Sequence, residues 1–206
     1  MNATGLKEVY VGELRDLYNC EQQLIKALPK LSKAASNEAL RDGFNQHLEQ
    51  TKEHARRLET ILQELGEPLK GKKCAGMEGI VAEGAEVMGE DYEGPVMDAA
   101  LITAAQRAEH YEIAAYGSVH AFATLMGEEE AAELLQQTLE EEKETDQKLT
   151  ELSEQINTLA YEAAGASEEG EEGDEASEES GEGSNEPQAE ATNTPRRQKS
   201  ARAGGR

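Results

Sequence analysis

The sequence predicts an all-α fold: one long antiparallel helical bundle followed by an acidic tail. Three observations carry this. Leucines recur at spacings of three, four and seven along four long stretches, the period of a helix with one buried face. The chain has no Trp and only two Phe, and 31% of its residues are charged. That composition suits helices of Ala, Leu, Glu, Lys and Gln and is poor material for a β-sandwich. Finally, apolar residues almost vanish after residue 165, so 206 residues fit one domain plus a tail.

The first long helix is expected from Thr4 to about Ala35, with Leu14, Leu17, Leu24, Leu28 and Leu31 on its inner face. Pro29 lies within that stripe. It has no N–H to give the carbonyl of Ile25, so a kink is expected there. Asn37 is the expected N-cap of the second helix, with Glu38 in its first turn and Phe44, Leu48, Leu58, Ile61 and Leu62 buried. Gly66 and Pro68 stop it. The connection 66–94 is the longest, and Met77, Ile80, Val81 and Val87 predict a short extra helix within it. The third long helix starts at Pro95, where a proline at the first position wastes no hydrogen bond, and closes at Gly127. The fourth covers 128–164, with Leu135, Leu139, Leu149, Leu152 and Ile156 inward, and Gly165 is expected to end it. Helices of about 30 residues are roughly 45 Å long. Four of them with a long crossover between the second and third predict a ferritin-like bundle rather than a simple up-down one. The domain reading is therefore 1–164 for the bundle. The tail 165–206, mostly Glu, Ser and Gly before a basic end, PRRQKSARAGGR, is expected to stay disordered because it buries too little to offset its ordering entropy.

The formal charge is −23, and most of the excess lies in residues 1–164, since the tail carries 11 acids against 5 bases. A domain this acidic repels a phosphate backbone, which argues against nucleic acid as a partner. Cys20 and Cys74 are too few and too far apart in sequence to form a disulfide framework and are expected as reduced thiols. No apolar run approaches the roughly 20 residues needed to span a bilayer, and no signal peptide is visible. A cytoplasmic location without membrane contact is expected.

Polar residues at positions where the helical period demands burial carry the functional reading. Glu21 lies on the leucine face of the first helix. His47, Thr51 and His54 follow Phe44 at spacings of three and four. Gln106, Glu109 and Ile113 continue from Ile102, and Glu142 and Asp146 interrupt the row from Leu135 to Leu149. Several buried carboxylates facing one another are very costly unless cations neutralise them. Hard divalent metals held by carboxylates and imidazoles would do so. The two halves also resemble each other. NCEQQLIKAL lies over RAEHYEIAAY, pairing Glu21 with Glu109, and HLEQTKEHARRL lies over TLEEEKETDQKL. Such a pseudo-twofold suits a dinuclear site on the bundle axis. A plain structural bundle stays open beside it, because Glu is the commonest residue here and falls on any stripe by chance. No helix carries a clean Glu-x-x-His. His54 and His120 read as surface or rim residues, and Tyr18 and Tyr116, near the same layer, as core filling.

The segments ELRDLYNCEQQLIKALPKL, FNQHLEQT, KKCAGMEG, DAALITAAQRAEHYEIAAYG and TLEEEKETDQKLTEL are long, ordered and correctly spaced. Through them the chain resembles the YciE/YciF-type bacterial stress proteins, a ferritin-like family, across about residues 4–160. The resemblance implies a four-helix core with added helical elements, a homodimer, and a di-iron or di-manganese centre with ferroxidase activity. It further implies Glu21, His47, Glu109, Glu112, Glu142 and Asp146 as the polar core positions that would bind metal. Gln50 departs from the pattern, standing where many relatives have a second Glu. Glu78 and His110 lie in the matching segments without an assigned face. The leading functional expectation is oxidation of Fe(II) with oxygen or peroxide. The alternative is a non-catalytic stress bundle in which metal is structural or absent.

Overall fold

The computed structural model describes residues 3–69 and 72–171. Five helices account for nearly all of them: α1 Ala3–Ala34, α2 Glu38–Glu64, α3 Ala75–Val87, α4 Gly94–Met126 and α5 Glu129–Glu171. No strand occurs among the described residues. The stop and start signals act where the sequence puts them. The Asn37 side chain accepts the Leu40 N–H at 3.0 Å to cap α2. Pro95 opens α4, and Gly127 closes it with φ 73°, a left-handed conformation that favours glycine. The short helix expected in the long connection is α3, and its N-cap is Cys74.

Helix α1 continues through Pro29 to Ala34, over the range expected for it. One boundary changes. Helix α5 does not end at Gly165 but runs on to Glu171. A glycine costs a helix about 1 kcal/mol, and the flanking Ala and Glu residues are good helix formers that offset it. The remainder of the expected tail, 172–206, lies outside the described residues.

Short turns at 35–37 and 127–128 make α1–α2 and α4–α5 antiparallel hairpins. The late part of α1 packs on the early part of α4, while Arg57 and His54 of α2 reach Thr138 and Glu141 of α5. The helices therefore ring the core in the order α1, α2, α5, α4, with α2 and α4 diagonal and parallel. A parallel pair needs a connection that travels the length of the bundle. Residues 65–93 do this, and α3 packs on α1 and α4 along the way. No described helix is long and apolar enough to cross a membrane.

The core is in two parts. One cluster joins Leu24, Leu28, Leu31, Phe44, Leu101, Ile102, Leu149 and Met77. The other, toward the opposite end, joins Tyr10, Leu14, Leu17, Leu58, Ile61, Val119, Leu135 and Leu139. Between them every long helix contributes buried polar side chains: Glu21, His47, Thr51, His54, Glu109, Glu112 and Glu142.

One buried acid secures the end of the bundle where the crossover re-enters. Asp98, 2% exposed, accepts the backbone N–H of Ser36 at 2.7 Å and of Asn37 at 2.9 Å, together with the Ser36 hydroxyl. It thus ties the start of α4 to the α1–α2 turn. Hydrogen bonds to a charged acceptor are worth about 1.5–3 kcal/mol each. Replacing Asp98 by Ala should cost about 3 kcal/mol, read as a lowered urea midpoint. An unchanged midpoint would refute this role.

Candidate metal centre

The polar layer is built by heptad-like spacing. His47, Thr51 and His54 lie four and three residues apart, so α2 presents both imidazoles on its inner face. Glu109 and Glu112, three apart, do the same on α4, while α1 supplies Glu21 and α5 supplies Glu142. All six of these acids and imidazoles are at most 3% exposed. Their ligand atoms converge in two groups, each with all atoms within 4.8 Å of one another: His47, Glu109, Glu112 and Glu142 in one, and Glu21, His54 and Glu142 in the other. Glu142 belongs to both.

Of the six positions expected to ligate, the structure brings five together. Asp146 stays out of both groups. It sits one turn beyond Glu142 at the edge of the bundle, where it accepts from Gln106 Nε2 at 3.3 Å and lies 3.3 Å from the exposed His110 ring. His54 takes a place that the sequence reading put at the surface. It is completely buried, because it lies seven residues after His47 and so shares its face. Gln50 lines a small cleft beside His47 and Thr145 and joins neither group. Glu78 pairs with Lys73 on the surface. Tyr18 donates to Glu59 at 2.7 Å, away from the site. Tyr116 does more than fill core, since its hydroxyl donates to Glu21 Oε1.

A second ring of contacts holds the first. His54 Nε2 lies 2.8 Å from Glu141 Oε2, and Arg57 grips both oxygens of Glu141 at 2.6 and 3.0 Å while donating to Thr138 at 2.9 Å. That leaves His54 Nδ1 facing inward, 2.9 Å from Glu142 Oε1 and 3.9 Å from Glu21 Oε1. On the other side Thr145 Oγ1 meets His47 Nδ1 at 3.3 Å, leaving Nε2 3.3 Å from Glu109 and 3.8 Å from Glu142. Laying HLEQTKEHARRL over TLEEEKETDQKL explains the pattern. Thr138 and Thr145 of α5 stand where α2 has His47 and His54, and Thr51 stands where α5 has Glu142. Each helix thus supplies the inward ligands where its counterpart supplies threonines.

The donor set suits divalent metal. Glu21 Oε2, Glu109 Oε2, Glu112 Oε2, both oxygens of Glu142 and His54 Nδ1 are buried without a hydrogen-bond partner among the described residues. His54 Nδ1 is close to Glu142 but out of line for a hydrogen bond. Buried polar atoms left unpaired cost about 1–3 kcal/mol each, more when charged. Four carboxylates match the charge of two divalent cations. Four Glu and two His are also the ligand inventory of di-iron and di-manganese bundles, here with both His on α2 instead of one on each of two helices.

Without metal, protons provide the neutralisation. Burial pushes Glu21 up to about 8 and Glu109 and Glu112 well above the usual carboxylate range, with Glu142 adding to it. Glu142 itself, despite burial, is held below that range by His54 and His47. Burial lowers His47, whereas Glu142, Glu21 and Glu141 outweigh burial at His54 and raise it to about 9.

The chain belongs to the DUF892 family. The model of this domain of unknown function matches residues 5–162. The chain is 45% identical over 154 residues to Protein YciF of Escherichia coli K12, covering 74% of this chain and 93% of YciF. The crystal structure of the Escherichia coli stress protein YciF superposes with a TM-score of 0.72 at 44% identity, over 74% of this chain and 97% of that one. YcfI from Rhodopseudomonas palustris, for which a structural role has been suggested, superposes with a TM-score of 0.68 at 38% identity, over 70% of this chain and 92% of that one. A Xanthomonas campestris protein at 22% identity, with a TM-score of 0.64 over 77% of this chain and 98% of that one, shares the fold.

The proton-filled site has a pH signature. Glu21 and His54 both titrate higher in the folded protein than in the unfolded chain, so the stability they contribute is present at low pH and lost as pH rises through their folded values. His47, lowered by burial, acts the other way, but only near and below its ordinary value of about 6.5. Chelator-treated protein should therefore melt at progressively lower temperature between about pH 7 and pH 9, losing at most about 1.4 kcal/mol per pH unit for each proton that the folded site alone retains. A flat or rising profile over that window would overturn the protonated-site picture.

Proposed function

We propose that this chain binds two iron or manganese ions in the α1–α2–α4–α5 layer and works as a cytoplasmic, ferroxidase-type oxidoreductase, with Fe(II) as electron donor and oxygen or peroxide as acceptor. One observation carries the proposal: two groups of buried ligands share Glu142, and every one of them but His47 has an unpartnered oxygen or nitrogen. Metal bound there supplies one-electron redox chemistry. The residues of this chain hold it: Glu142 between the two groups, Glu21 and His54 on one side, and His47, Glu109 and Glu112 on the other. Tyr116 orients Glu21, Thr145 orients His47, and the Arg57–Glu141 pair keeps the His54 Nδ1 lone pair aimed inward, a role that supporting residues play in metal sites generally. The two apolar clusters above and below keep bulk water out of this layer. A part in stress response rests on the likeness to YciF.

The competing reading is a structural bundle without functional metal. It draws on the role suggested for YcfI and on the ability of protons to neutralise the site. Glu112→Gln separates the two. Glu112 has no imidazole partner, so the amide relieves repulsion without breaking an ion pair. At pH 8 the chelated variant should melt at or above wild type. With Mn(II) or Fe(II) the wild type should rise and the variant should rise less, with metal affinity and Fe(II) oxidation lower by about 10-fold or more. If neither ion moves the wild-type melting curve, the metal centre is refuted and the structural bundle stands.

We also infer a homodimer, which rests on the likeness to the YciF-type family. Light scattering should give twice the chain mass. A monomer, or a 12- or 24-subunit shell, would refute it.

A further inference from the structure

We propose that Cys20 and Cys74 form a peroxide-reactive dithiol that closes into an intramolecular disulfide between α1 and the start of α3. Both thiols are free and completely buried. Backbone contacts clamp Cys74 onto the stretch of α1 that carries Cys20. The Cys74 N–H donates to Asn19 Oδ1 at 2.8 Å, and the Cys74 carbonyl accepts from Gln23 Nε2 at 2.9 Å. Gln23 Nε2 also donates to Asn19 Oδ1 at 2.9 Å, so the two side chains act as one bracket. Asn19 and Gln23 lie one residue before and three after Cys20, so Cys74 is docked on the turn of α1 that carries Cys20. The two thiols belong to the same apolar cluster.

Their surroundings assign different roles. Cys74 is the N-cap of α3. Its sulfur accepts the Met77 N–H at 3.5 Å, in the field of a helix N-terminus that favours a thiolate. The Cys20 contact also holds its thiol down to about 7. The Tyr111 hydroxyl stands 3.1 Å from Cys74 Sγ and donates to Asp16 Oδ2 at 3.1 Å. Gly76 admits the Tyr111 ring, since a Cβ there would fall 2.6 Å from ring carbon Cε2. The neighbours of Cys74 on both sides, Lys73 and Ala75, are exposed, so it lies one residue from solvent. Cys20 faces the bundle interior, with its thiol donating to Glu112 Oε1 at 3.7 Å.

Cys74 is therefore the attacking sulfur and Cys20 the resolving one. The Cys74 thiolate attacks one oxygen of hydrogen peroxide, the O–O bond breaks, and the departing hydroxide takes a proton and leaves as water. Cys74 then carries a sulfenic acid. Cys20 Sγ attacks that sulfur, the S–O bond breaks, and hydroxide leaves as a second water with the Cys20 proton as the S–S bond forms. The two sulfurs lose two electrons, and the peroxide gains them. Metal plays no part in this sequence.

The test uses the full chain with chelator present. After brief hydrogen peroxide treatment, the protein is denatured, alkylated and digested for mass spectrometry. The expected product is one linked pair of peptides, containing Cys20 and Cys74, that disappears with dithiothreitol, while the chain runs as a monomer on a non-reducing denaturing gel. In Cys20→Ser the reaction should stop at Cys74, whose sulfenic acid is trapped by dimedone. In Cys74→Ser the Cys20 thiol should survive. Two thiols that still alkylate after the treatment, a link between two chains, or dimedone labelling of Cys20 in Cys74→Ser would each overturn the proposal. The wild-type peptide result stands even if a variant folds poorly.

Discussion

Four carboxylates share the inside of a bundle whose two ends are apolar, and the rest of the structure is arranged around that constraint. Glu21, Glu109, Glu112 and Glu142 cannot all be ionised in so little space without counter-charge. An ordinary bundle would fill this layer with leucine. Here each of the four long helices gives up part of its apolar stripe in the middle and keeps it at both ends, which is why the core divides into two clusters. The ends hold the helices in register so that the middle can carry groups that would not pack by themselves.

The support for this layer is asymmetric in a way that the internal repeat clarifies. The His54 side rests on a charged chain, from its ring through Glu141 to Arg57 and Thr138, half-buried and bidentate at the guanidinium. Arg57 and its hydrogen bonds hold Glu141 down at about 2 despite partial burial, so it remains an anion. The His47 side rests on a single neutral hydroxyl from Thr145. An imidazole backed by a carboxylate is the more basic ligand, so the two halves of the site differ in electronic character although they descend from similar sequence segments.

Much of this was legible in the sequence, because the signals were local. The caps at Asn37, Pro95 and Gly127 are decided by a few neighbouring residues, and the buried faces of the helices by leucine spacing. Glu21, His47, Glu109 and Glu142 stood out as polar residues on apolar stripes, and Glu112 came from the family resemblance. His54 had the same signal, seven residues from His47, but a histidine at a bundle edge and one on its axis look alike until the partner helix is placed. Asp146 was ambiguous for the same reason: one helical turn from Glu142 keeps it on the face but rotates it to the rim, where Gln106 and His110 take it up. The end of α5 was misread because a lone glycine weakens a helix without stopping it. The nearness of Cys74 to Cys20 could not be read at all, since it depends on where the crossover lays α3.

The parallel course of α2 and α4 has a topological consequence. Because residues 65–93 must climb the full height of the bundle, the chain between the two hairpins is a strap bound to one side of the barrel of helices. The two hairpins cannot be separated, or swapped with those of a second chain, without first peeling that strap from α1 and α4. Its upper end is fastened where Asp98 grips the turn between α1 and α2, and its middle where Cys74 is seated on Asn19 and Gln23. The crossover is thus a latch across the seam between the two halves, and the fold is closed by the segment that a simple up-down bundle would not have.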